Sequence, residues 1–183
     1  MTVKITTPFT KEQASKLRAG DIVSITGTIY TARDAAHKRM LEQYDETGKF
    51  PFDMENAIIY YAGPSPAKPG NVIGSAGPTT SYRMDAYAPR LLDLGETGMI
   101  GKGARGKEVI EAMKRNKAVY FAATGGAAAL ISSHIKKAEV IAYEDLGAEA
   151  IHKLYVEDFP AVVVNDTEGN NLYETEKAKY RTL

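Results

Sequence analysis

The chain has 183 residues, of which 44% are hydrophobic and 25% charged, as expected for a globular protein that buries its own core. Its 23 basic and 23 acidic residues balance to a formal net charge of zero, which argues against a nucleic-acid binder. The chain has no cysteine, which excludes disulfides and thiolate-bound metals on this chain. It has no apolar signal segment and no run of about 20 apolar residues, which predicts one cytoplasmic domain without a membrane span.

Apolar periodicity and turn residues predict helices and strands that alternate along the chain. In chain order they are a helix from Thr10 to a stop at Gly20, strand Asp21–Ile25, helix Thr31–Tyr44, strands Ala57–Tyr61 and Val72–Ala76, helix Met84–Leu94, strand Met99–Gly103, helix Lys107–Arg115, strand Val119–Ala123, helix Ala127–Lys137, strand Glu139–Tyr143, helix Ala148–Tyr155 and strand Ala161–Asn165. Because the first half is richer in strands and turns, we expect an α/β fold with a mixed sheet.

Two helix starts have the spacing of a capping box. Thr10 and Gln13 form the first, and Thr31 and Asp34 form the second. Gly27 is a candidate bulge just after the first predicted strand.

Three polar loops follow predicted strands, and each contains a cation. They are TARDAAH with Arg33, GPTTSYRM with Arg83 and GKG with Lys102. In open α/β sheets, ligands gather where loops and helix starts converge at strand ends. Arginine matches a carboxylate with a bidentate fork, and lysine offers a point charge. The residue types therefore predict a site for an anion with two carboxylates.

Each of these loops also allows a purely structural interpretation. Thr79 and Thr80 are possible N-caps of the next helix, and Asp34 closes the second capping box. His37 is one turn after Arg33 and fits a core or surface histidine, while Lys102 fits an exposed turn.

Other stretches with possible chemistry are weaker. Gly125-Gly126 before a predicted helix resembles an anion nest and suggests a phosphate-binding domain, although no GxGxxG or P-loop pattern is present. His37, His134 and His152 are too scattered to predict a zinc site.

A set of motifs in fixed order carries a family resemblance. The motifs are GDIVSITGTIYTARDAAHKRM, YYAGP, GPTTSYRMD, GKG, ATGGAAAL and AVVVNDTEGN. From about Gly20 to Tyr173 the chain closely resembles the β subunit of the class I, iron–sulfur-dependent fumarate hydratase and L(+)-tartrate dehydratase family. The resemblance implies a swivelling β/β/α domain, in which a mixed sheet is flanked by helices.

The resemblance also implies an activity and a partner. The family adds water reversibly to fumarate to give L-malate, or dehydrates tartrate to oxaloacetate. Its [4Fe–4S] cluster is held by three cysteines of an α subunit, with one iron open to the substrate. This chain would form the other wall of the site in a heterotetramer and supply no metal ligand. A non-catalytic dicarboxylate-binding or assembly module is the alternative from another class.

The family motifs assign roles to the cations. Arg33, Arg83 and Lys102 match the residues that bind the substrate carboxylates, and Thr80 is assigned to substrate binding with them. Cations placed where negative charge develops stabilise the transition state.

The remaining motif residues carry the base and its surroundings. Thr79 matches the base that faces the reacting carbon, although a threonine hydroxyl needs nearby cations and a partner carboxylate to act. Asp34 and His37 are expected to orient Arg33. Tyr82 departs from the small residue more common in the family, which bears on substrate identity.

Overall fold

The computed structural model describes residues 1–124 and 128–181 as an α/β fold. The strands are β1 (Thr2–Thr6), β2 (Ile22–Thr31), β3 (Ile58–Tyr60), β4 (Gly98–Gly101), β5 (Val119–Ala123), β6 (Ile135–Ala142) and β7 (Ile151–Asn165). The helices are α1 (Lys11–Ser15), α2 (Asp34–Thr47), α3 (Ala88–Asp93), α4 (Lys107–Asn116), α5 (Ala128–Ser132) and α6 (Leu172–Arg181), with 3₁₀ helices at Ser81–Met84 and Glu144–Glu149. None of the helices described is both long and apolar enough to cross a bilayer.

The sheet is mixed, as expected. Its strand order is β1-β2-β3-β4-β5-β7-β6, with β1 to β5 parallel and β7 antiparallel to β2, β5 and β6. Because β7 also pairs with β2, the ladder from β2 through β5 to β7 closes on itself. The register of β2 against β7 shifts between Ile25 and Gly27, which confirms the predicted bulge. Gly27 has φ +129, a backbone conformation that favours glycine.

Two apolar cores lie on opposite faces of the strands. In β3, Ile58 and Tyr60 belong to one cluster, which also contains residues of α1 and α5. Ile59 belongs to the other, which packs α2, α3 and α4 against the sheet. The alternation follows from the two-residue period of a strand and confirms a sheet flanked by helices.

The parallel strands β2, β3 and β4 end at a common edge. Thr31 at the end of β2 is opposite Tyr60 at the end of β3, and Tyr60 is opposite Ile100 in β4. The residues that follow these strands therefore start from neighbouring points of one edge. Arg33 and Lys102 are among them.

Three predicted elements are wrong. Residues 72–76 form no strand, because that short apolar run makes no ladder. The helix predicted over Ala148–Tyr155 is instead the end of a 3₁₀ helix and the start of β7, where pairing with β2 and β6 overrides local helical spacing. The helix predicted over Ala127–Lys137 ends at Ser132, and β6 begins at Ile135; Ala127 lies outside the described residues.

Of the two predicted capping boxes, only the first cap is formed. Thr10 caps α1 by accepting a hydrogen bond from the Gln13 backbone N–H at 3.2 Å. Thr31 is the last residue of β2, and its Oγ1 accepts from the His152 backbone N–H at 3.1 Å. The residue preceding α2 is Arg33, which makes no side-chain cap, so the pairing of Thr31 with Asp34 is corrected.

Candidate functional site

The GPTTSYRM loop lies against the ends of β3 and β4. The backbone N–H of Thr79 donates to the carbonyl of Tyr61 at 2.7 Å. Thr80 forms a parallel bridge with Lys102, and the Ser81 N–H donates to the Lys102 carbonyl at 2.9 Å. The loop thus continues the sheet edge and places Thr79, Thr80 and Lys102 side by side along the backbone.

Gly101 allows this close approach. A Cβ at that position would lie 2.0 Å from Ser81 Oγ and 2.9 Å from Tyr61 Cδ2. No side chain fits there without displacing the loop. The glycine of the GKG motif is therefore needed for packing, and Lys102 is the residue that it presents at the edge.

Arg83 and Lys102 are exposed cations on this edge. Within the described part of the chain, neither side chain has an ion pair or a hydrogen bond. Tyr82, the residue that departs from the family pattern, is 64% exposed and projects toward solvent. The edge therefore offers positive charge that no described residue compensates.

Arg33 directly precedes α2 and is half-buried. Its Nε lies 3.5 Å from Glu149 Oε1 and 4.0 Å from Asp34 Oδ1. The two carboxylates offset the penalty of a cation at a helix N-terminus. A Cβ on Gly63 would lie 3.1 Å from Arg33 Cδ, so the side chain packs over the chain that leaves β3. The role of Asp34 in orienting Arg33 stays a prediction, and Glu149 is an acidic neighbour that the sequence did not indicate.

His37 is fully buried under the start of α2. Its Nδ1 lies 2.8 Å from the Arg33 carbonyl, which can only accept, so Nδ1 is the protonated nitrogen. Burial lowers the pKa of His37 to about 4, which keeps the ring neutral at pH 7. His37 thus holds the backbone of Arg33 and touches the edge of the Tyr61 ring at 5.4 Å between centroids.

Thr79 and Thr80 are half-buried, and the backbone of Thr80 is bridged to that of Lys102. Thr80 precedes the 3₁₀ helix Ser81–Met84, but its side chain makes no cap hydrogen bond. The structure therefore does not support the N-cap interpretation for Thr80.

Two buried ionisable residues, Glu96 and Arg105, were not predicted from the sequence. Glu96 precedes β4 and is 0% exposed, and its carboxyl oxygens have no hydrogen-bond partner in the described structure. Burial raises the pKa of Glu96 to about 8, and nearby Arg105 opposes that rise. Single charged residues such as these produce no periodic pattern in the sequence. The one indication was the position of Arg105, shortly after the GKG motif.

Three other features are weaker candidates for a functional site than this edge. A cleft of about 410 Å³ lined by Thr7, Gly27, Asp53 and Ala57 lies where the chain enters β3, at the opposite end of that strand. No group of three or more histidines or acidic residues in the described structure could hold a metal ion. The Gly125-Gly126 pair lies outside the described residues.

Comparison with known proteins identifies relatives over most of the chain. Residues 1–176 match the family described as Fumarase C-terminus. A Methanocaldococcus jannaschii protein provisionally named L(+)-tartrate dehydratase subunit beta is 40% identical over 91% of this chain and 88% of its own length. Fumarate hydratase 2 of Leishmania major is 39% identical over 89% of this chain and 29% of its own length.

A third relative shows the same partial overlap. The aerobic class I fumarate hydratase of Salmonella typhimurium is 38% identical over 89% of this chain and 28% of its own length. The chain thus spans less than a third of these two fumarate hydratases and nearly all of the subunit named beta. The family match and these identities confirm the resemblance seen in the motifs: the chain belongs to the fumarase C-terminus family.

Proposed function

We propose that this chain is the β subunit of a hydro-lyase that hydrates fumarate reversibly to L-malate together with an α subunit. The observation that carries the proposal is the common edge of β2, β3 and β4. Arg33 and Lys102 follow β2 and β4 there, and the backbone of Thr79 is hydrogen-bonded to Tyr61 at the end of β3. Arg83 follows on the 3₁₀ helix beside it. Membership of the fumarase C-terminus family supports the reaction class.

In this proposal the cations bind a dicarboxylate and stabilise the charge that develops on it. Removing a proton from the carbon beside a carboxylate places additional negative charge on that group. Exposed Arg83 and Lys102 are uncompensated within the described structure and suit an anionic ligand. Preorganised cations act strongly here because they need no reorganisation as charge develops.

Arg33 contributes a guanidinium that can bind a carboxylate through two hydrogen bonds. The carboxylates of Glu149 and Asp34 both approach its Nε. Its terminal nitrogens therefore remain for a bidentate contact with a substrate carboxylate. His37 keeps the Arg33 backbone in place through its carbonyl.

Thr79 is the proposed base, with Thr80 as a polar neighbour that contacts the substrate. In dehydration, Thr79 Oγ accepts the proton from carbon while its own hydroxyl proton passes to a carboxylate of the α subunit. The C–H electron pair forms the double bond as hydroxide leaves the adjacent carbon. The hydroxide takes up the proton held by the carboxyl group of the α subunit and is released as water. Neighbouring cations favour this transfer because they stabilise the deprotonated oxygen.

A [4Fe–4S] cluster does not fit the residues of this chain. The chain has no cysteine, and its described residues gather no metal-binding group. We therefore assign the cluster to the α subunit, where it supplies Lewis-acid chemistry. This chain binds and orients the substrate and moves its proton.

Dehydration of L(+)-tartrate is the second candidate function. It is favoured by the name and length of the Methanocaldococcus jannaschii relative, which this chain covers over 88%. The name of that relative also supports an organisation in two subunits, and we propose a heterotetramer.

Reconstitution tests the proposed function. The chain, an anaerobically prepared cluster-bearing α subunit and their mixture are assayed with fumarate, L-malate and both tartrate enantiomers. We expect turnover only in the mixture, with fumarate and L-malate the preferred pair, because each subunit supplies half of the site.

Two outcomes would contradict this assignment. Turnover by this chain alone would remove the division between subunits. Micromolar binding of malate to the isolated chain by calorimetry, with no turnover in the mixture, would instead support a non-catalytic dicarboxylate-binding module.

A further inference from the structure

Arg105 lies inside the protein, beneath the loops that carry the candidate cations. Its side chain is 0% exposed. Nε donates to Asp85 Oδ1 at 2.8 Å, one terminal nitrogen donates to Tyr61 Oη at 3.2 Å, and the other lies 3.2 Å from Met99 Sδ. A buried guanidinium is costly unless its donors are paired, so these contacts fix its position.

Aromatic rings complete the surroundings of this guanidinium. Its carbon lies 5.2 Å from the Tyr61 ring centroid and 4.7 Å from that of Tyr120. Burial raises the pKa of Tyr120 to about 12, so its phenol remains a neutral donor at pH 7. The carboxylate of Asp85 compensates the charge of Arg105 directly.

Asp85 connects this buried cluster to the helix that carries Arg83. It directly follows the 3₁₀ helix Ser81–Met84, and its second oxygen accepts from the Gly106 N–H at 2.7 Å. One carboxylate thus joins the end of that helix to Arg105 and to the loop after β4.

The start of the same helix is tied to the same loop. Ser81 Oγ lies 2.7 Å from Tyr120 Oη, which donates to the Gly103 carbonyl at 2.8 Å. The Ser81 N–H donates to the Lys102 carbonyl at 2.9 Å. Both ends of the helix therefore depend on the cluster centred on Arg105 and Tyr120.

We propose that Arg105 is a positioning residue that sets the 3₁₀ helix Ser81–Met84 against the sheet edge and so places Arg83 beside Thr79 and Lys102. It touches no substrate, because its side chain is buried. Lysine cannot replace it, because one ammonium cannot reproduce a planar fork that meets several partners. The inference rests on the proposed function only for the substrate-binding role of Arg83.

Amide hydrogen exchange on the full chain tests the positioning without any activity. In Arg105→Lys we expect Ser81, Asp85 and Gly106 amides to exchange at least tenfold faster, with Phe121 in β5 within twofold of the wild type. Arg115→Lys, which alters an exposed pair with Asp93, is the matched control and should change none of these amides. Asp85→Asn weakens the same contact between Asp85 and Arg105. It is used in place of Arg105→Lys if Arg105→Lys fails to fold.

Kinetics of the reconstituted complex test the coupling to Arg83. Arg105→Lys should lower kcat/KM at least tenfold in the wild-type background and less than threefold in the Arg83→Ala background. Equal losses in both backgrounds would overturn the inference. Unchanged exchange at Ser81, Asp85 and Gly106, or equal acceleration at Phe121, would also overturn it. If the wild-type complex turns over none of the four substrates, the proposed function fails, and exchange alone decides the positioning.

Discussion

Replacing Arg83 by alanine is expected to lower kcat/KM of the reconstituted complex by about a hundredfold or more, the scale of losing one preorganised contact to a developing charge. The side chain is exposed and has no ion pair in the described structure, so its truncation leaves no buried charge behind. The free energy of unfolding should therefore stay unchanged. Steady-state kinetics with fumarate and urea unfolding of the same variant give the two measurements.

Controls separate charge from geometry at this position. Arg83→Lys keeps the charge but loses the fork, and we expect an intermediate rate. Arg115→Ala removes an exposed arginine on α4 that pairs with Asp93, and should leave turnover within twofold. A near-normal rate for Arg83→Ala would remove Arg83 from the site.

Replacing Glu96 by glutamine is expected to stabilise the chain at alkaline pH. The ordinary pKa of a glutamate carboxyl is 4.5, and burial raises that of Glu96 to about 8 in the folded protein. Between these values the unfolded chain loses a proton that the folded protein retains, so this group's stabilisation falls as pH rises. At pH 9 the amide should gain on the order of a few kcal/mol over the carboxylate, and at pH 5 less than about 1 kcal/mol.

Urea unfolding at pH 5, 7 and 9 checks this expectation. The pKa of His37 is about 4 in the folded protein, so His37 makes the free energy of unfolding rise with pH between about pH 4 and 6.5. This contribution is the same in the wild type and in Glu96→Gln and cancels in their difference. Glu108→Gln alters an exposed carboxylate on α4, and its free energy of unfolding should follow the same pH dependence as that of the wild type. Parallel profiles for Glu96→Gln as well would show that Glu96 does not titrate in this way.

The local sequence pattern was sufficient to predict those elements that depend mainly on their own residues. The buried runs of β4 and β5 and the amphipathic spacing of α4 predicted those elements closely. The motif loops were also expected at strand ends, and Arg33 and Lys102 do follow β2 and β4. The common edge could be anticipated because parallel strands end on the same side of a sheet.

Long-range pairing was what the sequence did not reveal. β7 begins where the spacing predicted a helix, because its partners β2 and β6 are set by tertiary pairing and not by local pattern. Glu149 pairs with Arg33 across more than a hundred positions, and Asp85 meets Arg105 through tertiary packing. Contacts of this kind depend on the closed sheet and have no local periodic signature.

The central claim is that Arg33, Arg83 and Lys102 meet around one dicarboxylate, and a crystal structure of the α–β complex with bound L-malate tests it most directly. We predict both carboxylates within about 3 Å of nitrogens of these side chains, with Thr79 Oγ facing the carbon that loses its proton. A malate bound elsewhere, or the three cations directed to separate faces, would contradict the account.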